Sequence, residues 1–375
     1  MKIETQAVHA GRKIESQFRA VATPIYLSTV YERGEDGGRL SGYLYARDEN
    51  PNRQALEECL AALEGGADAA AFSSGQAASM AVLQSLRPGD HVIAPQDVFY
   101  ETGLFLRGTF KDWGLESSFV DMTDAEQIRK ALRPNTRLVW IETPSNPLLC
   151  ITDIEAAASI AHEAGAVVVC DSTLASPVLQ NPLAFGVDLV LHSTTKYLGG
   201  HSDLTGGAIV AHEAGHPLFA AVRKMQQSGG GVPSAFDCWL LLRSIQTLPY
   251  RVRAQAQSAL RIAEFLEKQP AVERVRYPGL KSHPGHAIAA KQMKGGFGGL
   301  VSVQIKGGAK EALAFAARLK LITRATSLGG VHSNVDHRKS VEPPDSKTPA
   351  NLLRFSMGLE HVDDLLADVE GALRG

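Results

Sequence analysis

Lys196 stands in the run Ser193-Thr194-Thr195-Lys196-Tyr197-Leu198-Gly199-Gly200-His201-Ser202-Asp203, directly behind the apolar stretch Leu189–Leu191. A solvated surface lysine is the ordinary reading of such a residue, but a plain surface loop does not need small and polar side chains packed so densely. A buried lysine loses its proton readily, and the neutral amine can form a Schiff base with an aldehyde. Ser193 and Thr195 carry hydroxyls able to hold a phosphate. Asp171 closes a second apolar run, Ala166–Cys170. A carboxylate is costly to bury without a partner, so Asp171 is either a turn cap or the counter-ion of a buried cation. Ser73-Ser74-Gly75-Gln76 precedes a helix of small residues. A helix N-terminus offers free N–H groups and partial positive charge to a phosphate. Taken alone, such a segment is more often an ordinary cap.

These groups must be brought together by the elements around them. Helical pattern runs over 52–63, 76–86, 154–164, 310–319 and 362–373, with long helices between 236 and 268. Strands are expected at 91–94, 138–141, 166–170 and 189–191, and glycine-rich strand pattern at 295–305. Thr152 or Asp153 is suited to N-cap the helix at 154, and Gly165 to close it. Alternating strands and helices imply an α/β fold, a mostly parallel sheet flanked by helices, followed by a smaller C-terminal α+β region. The division expected is an extended arm over 1–50, a ligand-binding domain over 51–245 and a C-terminal domain over 246–375. In open α/β sheets ligands sit at the carboxyl ends of strands. Asp171, Ser193 to Lys196 and Glu142 to Pro147 all follow strands there.

Composition excludes several classes. The chain has 375 residues, 38 basic and 40 acidic, for a net charge of −2. No polyanion partner, and so no nucleic acid, is implied. Cys59, Cys150, Cys170 and Cys238 lack paired spacing, which argues against a zinc site or disulfide framework. Reduced thiols, no apolar leader over 1–13 and no membrane-length apolar run lead to the expectation of a cytoplasmic protein without metal or membrane partner.

The chain resembles the cystathionine γ-synthase family, the fold-type-I pyridoxal 5′-phosphate (PLP) enzymes of cysteine and methionine metabolism. The likeness runs nearly end to end, through Thr5 to Gly11, Tyr45 to Asn52, Ser73-Ser74-Gly75, Glu142 to Pro147, Asp171-Ser172-Thr173, His192 to Asp203, Ser327 to Gly330 and Arg354 to Glu360. The resemblance implies that Lys196 binds the cofactor covalently and then shuttles protons between Cα, C4′ and Cβ. It implies that Asp171 keeps the pyridine nitrogen protonated, so that the ring acts as an electron sink. Ser74, Gly75, Gln76, Thr173, Ser193 and Thr195 fall among the cofactor contacts. Asn146 would touch the cofactor's 3′-oxygen or the substrate carboxylate. Arg354, helped by Ser327, would bind the α-carboxylate in a bidentate fork. Tyr45 and Arg47 would reach the cofactor phosphate of a neighbouring subunit, making a dimer obligatory and a homotetramer the expected assembly.

Two positions depart from the family pattern. The family stacks a tyrosine on the cofactor ring, and this chain has Asp97-Val98-Phe99-Tyr100-Glu101-Thr102. Ungapped counting from Gly75 places Phe99 at the stacking position, and a one-residue shift places Tyr100 there. Only a tyrosine can also act as an acid or base. Neither Glu101 nor Thr102 is the cysteine that methionine γ-lyases carry nearby. His332 occupies a position where many relatives have glutamate, at the distal end of the substrate pocket. The activity expected is that of a PLP-dependent lyase or transferase acting on a sulfur-containing amino acid. Cystathionine γ-lyase is the first choice and γ-replacement by a cystathionine γ-synthase or O-acylhomoserine sulfhydrylase the second. Cystathionine β-lyase and an aminotransferase are further alternatives.

Overall fold

The computed structural model describes residues 1–343 and 346–374. Seven strands build the larger sheet: β1 Asp68–Phe72, β2 His91–Pro95, β3 Glu116–Val120, β4 Thr136–Glu142, β5 Val167–Asp171, β6 Leu189–His192 and β7 Gly207–Ala211. Their order is β1-β7-β6-β5-β4-β2-β3. Only β7 runs antiparallel to its neighbours. The inner strands read as continuous apolar runs because helices cover both faces. Leu138, Val139, Val168, Val169, Leu189 and Val190 are all fully buried.

A second sheet is built wholly from later residues: β8 Val272–Arg276, β9 Leu300–Ile305, β10 Thr323–Arg324, β11 Asn334–His337 and β12 Leu352–Ser356, in the order β10-β11-β12-β9-β8. Two consecutive helices, Ala235–Ile245 and Leu248–Leu266, precede β8 in the chain. The second packs on β8 and β9, and we propose the break at 245–246 as the domain boundary. No helix among the described residues is long and apolar enough to cross a membrane.

Two local expectations are corrected. The arm is not extended throughout, because Ile3–His9 is a helix that buries Ala7 and is tied down by Glu4 with Arg253. Two turns of helix leave too short a period to read. Gly295 to Gly299 is not strand: Gly295, Gly296 and Gly298 take positive φ, and β9 begins only at Leu300. The long helices expected between 236 and 268 are present as two, with Pro249 near the start of the second. Elsewhere expectation and structure agree to within a few residues, including Asp153 as the cap whose side chain accepts from Ala156 N.

Candidate active site

Parallel β4, β5 and β6 end on one edge, so Glu142, Asp171 and His192 are delivered there by their strands. Glu142 and Asp171 are register partners. Burial raises the pKa of Asp171, while two hydrogen bonds from Thr173 work in the opposite direction. Thr173 N donates to Asp171 Oδ1 at 2.9 Å, and Thr173 Oγ1 accepts from Ser193 N at 2.8 Å. Burial, then the neighbouring Asp171, holds Glu142 well above the usual carboxylate range. Below this edge His192 Nε2 lies 2.5 Å from Glu64 Oε1, both side chains buried.

Lys196 sits in a tight turn after β6. Gly199 N donates to Thr194 O at 2.8 Å and Gly200 N to Lys196 O at 2.7 Å. Arg251, buried in the helix Leu248–Leu266, donates to the carbonyls of Tyr197 and Leu198 and fixes the turn from behind. Lys196 Nζ donates to Ser327 Oγ at 3.1 Å. Burial lowers the lysine to about 8, helped by the positive charges of Arg354 and Arg338. Ser327 is held at φ +73°, a left-handed backbone uncommon for a non-glycine residue.

Beside the lysine, the helix Gly75–Gln84 points its N-terminus at the same edge. Ser74 caps it, accepting from Ala77 N at 3.0 Å. A Cβ on Gly75 would lie 2.8 Å from Ser193 Cβ, so glycine is required where the two segments meet. Thr195 Oγ1 is bonded to Gly206 N at 3.0 Å. Gln76 Nε2 is buried without a hydrogen-bond partner among the described residues.

From the second sheet, Arg354 reaches across on β12. Its Nη1 donates to Asn146 Oδ1 at 2.7 Å and its Nη2 to Ser327 O at 2.9 Å. Its Nε is buried without a hydrogen-bond partner among the described residues. Burial lowers its pKa to about 10. Lys196, Ser327, Arg354 and Asn146 thus form one connected set.

The two aromatic candidates separate. Phe99 N donates to Glu142 Oε2 at 2.7 Å, tying Phe99 to the strand edge beside Asp171. Tyr100 lines a cavity of about 740 Å³ with Asn146, Asp97, Glu342 and Arg276. The Arg338 guanidinium lies 5.8 Å from the Tyr100 ring centroid. A hydrogen bond with Glu101, then burial, raises the Tyr100 phenol. Tyr45, Arg47 and His332 are exposed and stand outside the connected set.

Sequence reasoning missed Glu64, Arg251, Asp336 and Arg338. Asp336-His337-Arg338-Lys339 reads as a solvated charge run, and nothing local marks Asp336 and Arg338 as buried. Glu142 was legible only as a strand end.

The family model for Cys/Met metabolism PLP-dependent enzymes matches residues 4–374. The protein named cystathionine gamma-synthase in Mycobacterium bovis is 44% identical, covering 98% of this chain and 96% of its own length. The one named cystathionine gamma-lyase in Dictyostelium discoideum is 42% identical, covering 99% and 97%. The crystal structure of metB from Corynebacterium glutamicum superposes with a TM-score of 0.97 at 43% identity, covering 100% of this chain and 98% of that one.

Proposed function

The chain belongs to the Cys/Met metabolism PLP-dependent enzymes, and from that premise we propose that it replaces the Cγ substituent of an O-acylated homoserine with a thiol, the reaction of a cystathionine γ-synthase. The family's cofactor is PLP, and the edge suits it. The Gly75–Ser193 junction has no room for a Cβ, so the N-terminus of the helix Gly75–Gln84 lies directly against Ser193. Asp171 is half-buried, and no ion pair reaches it among the described residues. Arg354 Nε has no hydrogen-bond partner among the described residues. When bound, PLP supplies an aldehyde that captures an amine and a ring that draws electron density from Cα.

The chain's own residues would divide the remaining work. Ser74, Gly75, Gln76, Ser193 and Thr195 would hold the phosphate. Asp171, oriented by Thr173, would keep a proton on the ring nitrogen. Arg354, with Asn146 and Ser327, would bind the substrate α-carboxylate and so aim the Cα–H bond at Lys196. Lys196, whose proton affinity is lowered by burial, would take the Cα proton and then one from Cβ. Tyr45 and Arg47 would serve a neighbouring copy. The arm exposes Phe18, Val21, Leu27 and Leu40, which a second copy would cover.

One observation carries the choice of replacement: the residue whose backbone N–H is bonded to Glu142 beside Asp171 is Phe99, whose ring has no proton to donate. A carboxylate leaves Cγ without a proton, whereas a departing thiolate gains from a phenol that donates one. The relatives named cystathionine gamma-synthase support the same reading. γ-Elimination from cystathionine is the second reading, favoured by the Dictyostelium relative and by the shared proton transfers at Lys196. The test is product analysis by mass with PLP-loaded protein. Cystathionine from O-acylhomoserine and cysteine supports replacement. Cysteine and 2-oxobutyrate from cystathionine, without replacement, establishes the lyase instead.

A further inference from the structure

Arg354 is not alone in its pocket. Asp336 is its register partner across β11 and β12, and Asp336 Oδ2 lies 3.3 Å from Arg354 Nη2. The same oxygen lies 2.9 Å from Nη1 of Arg338. Arg338 is gripped on its other side by Glu342, Nε to Oε1 at 3.1 Å. Glu342 in turn accepts from the hydroxyls of Ser346 and Thr348. All four charged side chains are nearly inaccessible to solvent.

Charge-assisted hydrogen bonds are strongest near 2.7–2.9 Å. The bond from Asp336 to Arg338 is therefore fully made, and the one to Arg354 is stretched. A buried carboxylate left with only one guanidinium partner closes on it in a two-pronged fork. Such a fork would occupy the donors and the charge that an incoming carboxylate needs. We propose that Arg338 is a positioning residue that holds Asp336 off Arg354, keeping the Arg354 guanidinium open to the α-carboxylate of an amino-acid substrate. This inference rests on the reading of Arg354 as the carboxylate-binding residue. Arg338 also lies over Tyr100, so it is fixed from three sides and well suited to holding a neighbour.

The test separates carboxylate recognition from general damage. PLP-loaded protein is titrated with glycine and with glycinamide, which lacks the carboxylate, following cofactor absorbance. Arg338→Met is expected to cut the preference for glycine about tenfold, the scale of one charge-assisted hydrogen bond. Arg338→Lys, which keeps the charge, retains most of the preference. The double variant Asp336→Asn with Arg338→Met removes the competitor and restores the preference to within about twofold of the parent, a sign reversal that loss of packing does not produce. An unchanged preference in Arg338→Met, or no recovery in the double variant, overturns the inference. If Arg338→Met does not fold, Asp336→Asn alone decides: an equal or stronger preference for glycine supports the inference, and a weaker one overturns it. Arg354→Gln tests the underlying reading. If it leaves the preference intact, Arg354 is not the carboxylate site. If it abolishes the preference while Arg338→Met does not change it, only the present inference fails.

Discussion

Glu142 and Asp171 end neighbouring parallel strands in register, a buried and a half-buried carboxyl side by side at the edge that also receives Lys196. They are used differently. Glu142 accepts a backbone N–H on each oxygen, from Phe99 and from Asn146 at 2.9 Å. Among the described residues Asp171 is bonded only by Thr173 and retains capacity for a cation. Asp171→Asn preserves shape but withdraws the charge that would keep the ring nitrogen protonated. The expected result is a loss of about 100-fold or more in kcat, with faster cofactor loss on dialysis, read from absorbance. Full activity in this variant would remove Asp171 from the mechanism.

The pKa of Lys196 is brought down from 10.5 to about 8. Capture of PLP needs the neutral amine. Below the depressed pKa the rate should climb about tenfold per pH unit, and above it the rate should level off. An ordinary lysine would continue to climb past pH 10. Mixing cofactor-free protein with PLP between pH 6 and 9.5 in a stopped-flow absorbance experiment distinguishes the two profiles. Borohydride should then fix the cofactor mass on the peptide that contains Lys196.

Gly75→Ala places a methyl group against Ser193 Cβ, at 2.8 Å before relaxation. The helix N-terminus must shift, and the phosphate cradle shifts with it. PLP affinity should fall about 10-fold to 100-fold, the range seen when supporting contacts of a bound group are lost. The far-UV circular dichroism of the cofactor-free protein should be unchanged.

Phe99 and Tyr100 are one residue apart, with ring centroids 5.2 Å from each other. Anchored to Glu142, Phe99 is expected to face the cofactor. Phe99→Ala should therefore shift the bound cofactor's absorbance, and Tyr100→Phe should not. Phe99→Tyr introduces a proton donor at the edge and should raise cystathionine cleavage by about tenfold or more. The reverse pattern would assign the ring to Tyr100.

The strands carrying Asp171 and Lys196 were legible because each is an unbroken apolar run punctuated by polar residues, which is how a strand covered on both faces reads. Gly75 was legible because a helix start and a glycine coincide there. The short helix Ile3–His9 was not, since its stability comes from docking rather than pattern. Nor were the buried partners. Glu64 and His192 meet across 128 positions of sequence, and Arg354 and Asn146 across 208. Pairings of that span are decided by how the sheets assemble. Asp336 and Arg338 are hidden in another way: only the β11–β12 register buries what looks like a surface charge run.

The junction of Gly75 with Ser193 joins two stretches of chain that are far apart until the larger sheet has formed. The unfolded chain has no such junction and hence no affinity of this kind for the cofactor. Each tenfold excess of PLP over its dissociation constant then adds about 1.4 kcal/mol to the free energy of unfolding. The lifetime of the folded protein is thereby tied to cofactor supply, and shortage of PLP would be felt first as loss of the protein itself.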